Sequence, residues 1–318
     1  MADSTRSTGR WDEPTVSQRR NFTARIRGGL SARPGDTQHA KSAGAFVALV
    51  LFAGVMLLPF CWNVCASFKP LEEVQADHWV PKTFQWENYL YVLGLRPPPG
   101  FGSKAFEIQF DRWYFNSFFI AAWVTLLQVT TSSFAAFAFS RLAWPGRDKL
   151  FVLYLGTMMV PGLVVSIPNF ALMFNLGLYN SYSGLIVPAA FSAFGTFMLR
   201  QFMLGIPKSL DEAAEIDGAS PFRVFWDIIL PLTRPGLITL AIFTFIGNWG
   251  SFFWPLIMIK DEYVRTLPIG MLSFNSQYVQ QTNLLMAGTL MTIIPPLVLF
   301  IVLQRYIVSG IQMGGVKG

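Results

Sequence analysis

The residues that stand out chemically lie in one polar stretch, 206–235, set between apolar runs. Asp211 and Glu212 fall in what reads as the first turn of a helix, with Ser209 before them as its cap. Carboxylates suit the positive end of a helix. Glu215 follows Glu212 by three positions, so the two acids share a face. Ala213 and Ala214 between them are small and favour helix. Gly218, next to Asp217, is placed to end that helix in a left-handed conformation. Ser220 then caps a second helix with Pro221 at its first position. Phe222, Phe225 and Ile229 fall on one side of it, and Pro231 is expected to stop it. The product is two short helices meeting at a sharp bend, with a small-residue surface rimmed by acids. Such a shape fits a cleft of another protein. An amphipathic hairpin lying on lipid headgroups accounts for the same spacing.

Few other chemistries are offered. The chain has no Gly-x-x-x-x-Gly-Lys-Ser/Thr phosphate loop, and Gly102-Ser103-Lys104 is only a partial echo of one. Hydrolysis of ATP by this chain itself is therefore not expected. The two histidines, His39 and His78, suggest neither a metal site nor His-based catalysis. Cys61 and Cys65 share a helical face but lack further ligands for zinc, and read as buried small apolar residues. The apolar segments hold almost no acids or bases, which argues against a proton relay.

The elements that must carry the polar stretch follow from composition. Of the 318 residues, 53% are hydrophobic and only 13% are charged, against about 25% charged in a soluble domain. Six apolar segments, near 43–66, 115–140, 150–174, 183–203, 236–259 and 284–307, are each near or above the ~20 residues a helix needs to cross a bilayer. Backbone groups in lipid must be satisfied within the segment, so the expected class is an all-α polytopic membrane protein with six transmembrane helices. Pro161 and Pro168 are expected to bend the third helix, Pro295 and Pro296 the sixth. Residues 1–42 form a basic arm without an apolar stripe, expected to be disordered or loosely bound to a surface. The apolar body is then 43–318, with a long loop at 67–114 and the polar loop at 205–235.

Charge orients this body. With the N-terminus inside, 17 Lys and Arg fall on the inner side and seven on the outer, which places both termini in the cytoplasm. The net charge of +6 is topological, since the basic residues flank apolar spans and form no aromatic-interleaved patch, so nucleic acid is not an expected partner.

The run Glu212-Ala213-Ala214-Glu215-Ile216-Asp217-Gly218-Ala219, followed by Phe225, Ile228, Leu230-Pro231 and Pro235, resembles the EAA loop of ABC importer permeases. Phe115-Asn116-Ser117, Arg141 with Pro145-Gly146-Arg147, Gly177-Leu178 with Asn180-Ser181-Tyr182, Trp254-Pro255-Leu256 and Gln304-Arg305 narrow the likeness. They resemble the carbohydrate-uptake permeases related to the second membrane subunit of the maltose transporter. The resemblance covers about 43–318 and implies the type I ABC importer permease fold in a bacterial inner membrane. It implies that Glu212, Ala213, Ala214, Glu215, Asp217, Gly218 and Ala219 form the coupling helix seated in a groove of a partner ATPase. It further implies a second, similar permease, an ATP-binding cassette dimer holding ATP and magnesium, and an extracytoplasmic solute-binding protein; this chain holds no cofactor. The cargo implied is a carbohydrate or related polyol.

Polar and aromatic residues inside the spans suit sugars, whose hydroxyls take hydrogen bonds and whose ring faces stack on aromatics. They are Gln128, Thr130, Asn169, Asn248, Trp249, Ser251 and Trp254. The same residue types also hold spans together and sit at membrane interfaces. Members of the family often read Trp-Asn-Asp-Phe in the fifth span, where this chain has Trp249-Gly250-Ser251-Phe252. An amide and a carboxylate are thereby lost.

Overall fold

The computed structural model describes residues 36–76, 78–98, 108–276 and 279–315. Most of the expected basic arm, Gly102-Ser103-Lys104 and residues 316–318 lie outside them. The chain divides into two units, the first ending at Cys61 and the second starting at Trp62.

In the first unit the described residues form a single helix, the greater part of α1 (Asp36–Ser67). Residues 36–42 are thus helical rather than part of an irregular arm. Phe46, Leu49, Phe52 and Leu58 are exposed, as a helix facing lipid requires. Cys61 is exposed and Cys65 half-buried, so the expectation of two buried thiols is corrected. No second element exists among the described residues of that unit to cover Cys61.

The second unit is built on α4 (Phe110–Ser140), which packs against α8 (Ala193–Leu204) and α11 (Arg234–Trp249); α11 in turn packs against α14 (Thr282–Gly315). Two hydroxyls of α4 are satisfied within the helix: Thr125 donates to the Ala121 carbonyl at 2.6 Å and Ser133 to that of Val129 at 2.6 Å. Where α4 meets α8, a Cβ on Gly195 would stand 2.6 Å from Ser132 Oγ, so only glycine permits this approach.

Three of the six apolar segments are single long helices and three are broken. The third consists of α5 (Arg147–Gly156), a 3-10 turn at Thr157–Met159 and α6 (Gly162–Asn175), bent by 98°. Val160 is extended because it precedes Pro161, which disfavours helix in the residue before it. Pro168 stays inside α6. The fourth is a short α7 (Tyr182–Ile186), a non-helical stretch at 187–192, and α8. Ser181 and Ser192 cap its two helices by accepting from the amides of Gly184 and Gly195. The carbonyls freed at Ala189 and Ala190 accept from Gln128 Nε2 at 3.2 Å and Thr131 Oγ1 at 2.8 Å, both on α4. That is how a broken segment is tolerated at membrane depth. The fifth ends α11 at Trp249 and resumes as α12 (Phe253–Met258). Pro295 and Pro296 lie inside α14 without ending it.

Loop 67–114 holds α2 (Leu71–Gln75) and α3 (Glu87–Val92), joined to the body by buried Asn88. Its Nδ2 donates to the carbonyls of Ser67 and Lys69, each at 2.8 Å, and its Oδ1 accepts from Asn283 on α14 at 3.1 Å. Glu73 is held below the usual carboxylate range, chiefly by the backbone amide of Lys82. Between α12 and α14 lie a short α13 (Leu267–Gly270) and a two-residue antiparallel pair, Asn275–Ser276 with Val279–Gln280, a small addition to an otherwise helical fold.

Candidate functional site

The polar stretch forms α9 (Ser209–Ile216) and α10 (Pro221–Leu232). Ser209 is the first helical residue rather than the cap; Lys208 holds that position and makes no side-chain capping bond. The other end follows expectation. Gly218 has φ of 80°, its amide donates to the Glu215 carbonyl at 3.0 Å, and the Ala219 amide donates to that of Ala214 at 2.9 Å. This is the paired-bond helix ending that a left-handed glycine permits. Ser220 accepts from the Arg223 amide at 3.4 Å, with Pro221 at the first helical position.

Pro231 does not stop the second helix. A π turn at Phe225–Ile229 precedes it, and the wider turn accommodates a ring that an α-helix would drive into the carbonyl four residues back. The chain bends by 74° only after Leu232, where α11 begins.

The expected small-residue surface is divided between two faces. Ala214 and Ala219 turn inward onto a buried cluster of Phe137, Met203, Val224 and Phe225. Glu212, Ala213, Glu215, Asp217 and Gly218 are exposed. Beside them Ile216 is 87% exposed and Phe222 64% exposed. The outer face therefore offers carboxylates around large apolar side chains, a pattern suited to a protein cleft with an apolar floor and basic or amide edges.

Behind this face lies buried Arg141, at the end of α4. Its Nη1 donates to Asp211 Oδ2 at 2.8 Å, and Nη2 donates to the carbonyls of Ile206, at 2.8 Å, and Met203. Nothing in the spacing linked Arg141 to Asp211, which lie 70 positions apart.

A second candidate is a cavity of about 330 Å³ bordered by α4, α6, α7, α11 and α12. Asn169, Asn248, Ser251 and Trp254 all line it. Trp254 is oriented by donating Nε1–H to the Gly184 carbonyl at 3.1 Å, and Asn248 by donating to that of Thr244 at 2.8 Å. Gln128, Thr130 and Trp249 are not among the lining residues. Gln128 braces α4 to Ala189 and accepts from Thr244. Thr130 bonds back to Leu126 in its own helix. Trp249, 3% exposed, is packed on Phe245 and Tyr114 and donates to the Thr292 carbonyl at 3.0 Å. Ser117, Ser166 and Thr266 line the cavity without having been expected to. Hydroxyls at such positions carry no sequence signal that separates them from interhelical contacts. The lining holds no charged side chain and two large aromatics, Phe253 and Trp254, so it suits an uncharged ligand with hydroxyls and an apolar face. Among the described residues no group of three or more His, Cys, Asp or Glu comes together to hold a metal.

The sequence profile described as binding-protein-dependent transport system inner membrane component matches residues 128–312. The chain is 33% identical over 279 residues to the arabinooligosaccharides transport system permease protein AraQ of Halalkalibacterium halodurans, covering 86% of this chain and 95% of that one. It is 32% identical over 280 residues to the sn-glycerol-3-phosphate transport system permease protein UgpE of Yersinia enterocolitica, covering 86% and 98%. Among solved structures, a chain of a bacterial ABC transporter involved in import of the acidic polysaccharide alginate superposes with a TM-score of 0.74 at 22% identity, covering 87% of this chain and 99% of that one.

Proposed function

The chain belongs to the binding-protein-dependent transport system inner membrane components, and from that premise we propose that it forms one half of a two-permease pathway importing a carbohydrate or related polyol. It is a transport component and not an enzyme. The power comes from a partner ATPase dimer, which holds ATP and its magnesium. The α9–α10 hairpin is the part that docks on it. An extracytoplasmic binding protein delivers cargo to the loops opposite the hairpin, and both termini lie in the cytoplasm.

The observation that carries this reading is the outer face of α9. It keeps Ile216, Glu212 and Glu215 in solvent on a helix followed by exposed Asp217 and ended by Gly218. A monomer has no use for such an arrangement, whereas a cleft that covers it gains apolar contact. When ATP closes the ATPase dimer, a docked α9 moves with it. The 74° bend between α10 and α11 passes that motion to a helix lining the cavity. The cavity supplies amides, hydroxyls and Trp254 for a polyhydroxylated cargo.

The test is Ile216→Glu in the complete transporter. Because Ile216 is 87% exposed, the change leaves the chain's own packing intact. Loss of a central apolar anchor costs about 2 kcal/mol or more, so ATPase affinity is expected to fall about 30-fold. Undiminished co-purification of the ATPase overturns the docking assignment.

A further inference from the structure

Arg141 and Asp211 form the one ion pair, among the described residues, that joins the hairpin to a long spanning helix. The side chains are 3% and 16% exposed, so the pair lies behind the docking face and not on it. The guanidinium gathers three pieces of chain: its own α4, the carbonyls of Met203 and Ile206 at the end of α8, and the first turn of α9. A planar cation with five donors is the side chain suited to such a junction.

The pair is not saturated. Arg141 Nε and Asp211 Oδ1 are both buried without a hydrogen-bond partner. Each group thus keeps a spare hydrogen-bonding atom next to the contact it makes. A contact of this kind can be exchanged for another as α9 tilts, without stranding either charge. A fully matched fork or an apolar contact lacks that freedom.

Resting on the coupling function proposed above, we infer that Arg141 and Asp211 are positioning residues for transport: their ion pair transmits displacement of α9 to α4, and so to the cavity wall that α4 contributes. The pair does not create the docking surface. Ala214 and Ala219 seat the hairpin through the apolar cluster independently of it. Removing the carboxylate charge is therefore expected to leave the ATPase bound and active while separating its cycle from the cavity.

The experiment uses the complete transporter with Cys61 and Cys65 replaced by Ser and a reporter thiol at the cavity through Ser166→Cys. Labelling by a hydrophilic maleimide is compared between the nucleotide-free complex and the complex trapped with ATP, magnesium and vanadate. In this background the labelling rate is expected to change at least about fivefold on trapping. Adding Asp211→Asn is expected to reduce the change to less than about twofold, with ATPase stoichiometry and basal hydrolysis retained. Asp211→Glu is expected to restore it. The inference is overturned if Asp211→Asn keeps the full change. It is equally overturned if that variant releases the ATPase, because the pair would then only hold the docking surface in place. A reporter that does not respond to nucleotide with Asp211 intact, although the ATPase is bound, defeats the proposed coupling function and this inference with it.

Discussion

In the α9–α10 hairpin, each turn is made by residues within a few positions of one another. Gly218 bonds to Glu215, Ala219 to Ala214, and Ser220 to Arg223. In the cavity, Asn169, Asn248, Ser251 and Trp254 arrive from separate stretches, and Trp254 is aimed by a carbonyl 70 positions away. The first region keeps its shape through local backbone geometry, while the second has one only while α4, α6, α7, α11 and α12 remain packed. Substitutions in the hairpin should therefore act through a single bond or torsion angle. Those in the cavity should divide between residues that brace the helices and residues that face the space.

The largest effect is expected at Gly218. Proline there is held near a φ of about −65°, against the 80° observed, and it deletes the amide that bonds Glu215. Gly218→Pro should cost about 3 kcal/mol or more locally. ATPase co-purification should be lost while membrane insertion continues, as read by fractionation and pull-down. Full retention of the ATPase would show that the hairpin's shape does not rest on this bend.

The next effect separates two amide side chains that were equal candidates for touching cargo. Gln128 ties α4 to the open carbonyl of Ala189 and accepts from Thr244. Gln128→Leu leaves those partners unpaired, at about 1–3 kcal/mol, and should lower the melting temperature of the purified complex. Asn169 lines the cavity and is half-buried. Asn169→Leu should leave melting nearly unchanged and raise the KM for uptake about fivefold, the value of roughly one hydrogen bond. The comparison fails if both variants melt alike or both transport alike.

This division also explains what the sequence could disclose. Gly218, Ser220 and Pro221 act on their immediate neighbours, so residue type and spacing were sufficient to place them. The six apolar segments were legible from length and composition, but the breaks in three of them were not all visible. Pro161 announced one; the break at 187–192 depends on Gln128 and Thr131 reaching across from α4. Pro231 misled because the relief comes from a π turn, which has no residue signature. Of the seven pathway candidates, four line the cavity and three do not. Those three are polar or aromatic residues whose partners are a carbonyl, a hydroxyl or a ring, contacts that spacing cannot distinguish from a ligand. In the sequence Arg141 stands out only beside Pro145-Gly146-Arg147, while its pairing with Asp211 needed the fold.

The smallest effect concerns the turn that Glu73 holds in loop 67–114. Glu73 accepts from the amides of Lys82 at 2.9 Å and Thr83 at 3.1 Å. These bonds favour the ionised form, so its pKa lies below the ordinary glutamate value of 4.5. A carboxyl lowered on folding contributes in full above its unfolded value and loses that contribution as pH falls through the folded one. Between pH 7 and 5 the loop is therefore expected to be indifferent to acid, with loosening confined to pH below 4.5. Hydrogen exchange at the Lys82 and Thr83 amides, corrected for the intrinsic rate at each pH, reads this directly. Protection should drop only in the acid window, and Glu73→Gln should remove the dependence on pH. Because Glu73 bonds only these two neighbouring amides, the expected change is confined to them and their neighbours, with no shift in global melting. A loss of protection already complete at pH 6 would mean that another group holds this turn, and that its shape, unlike that of the hairpin, does not rest on one identified contact.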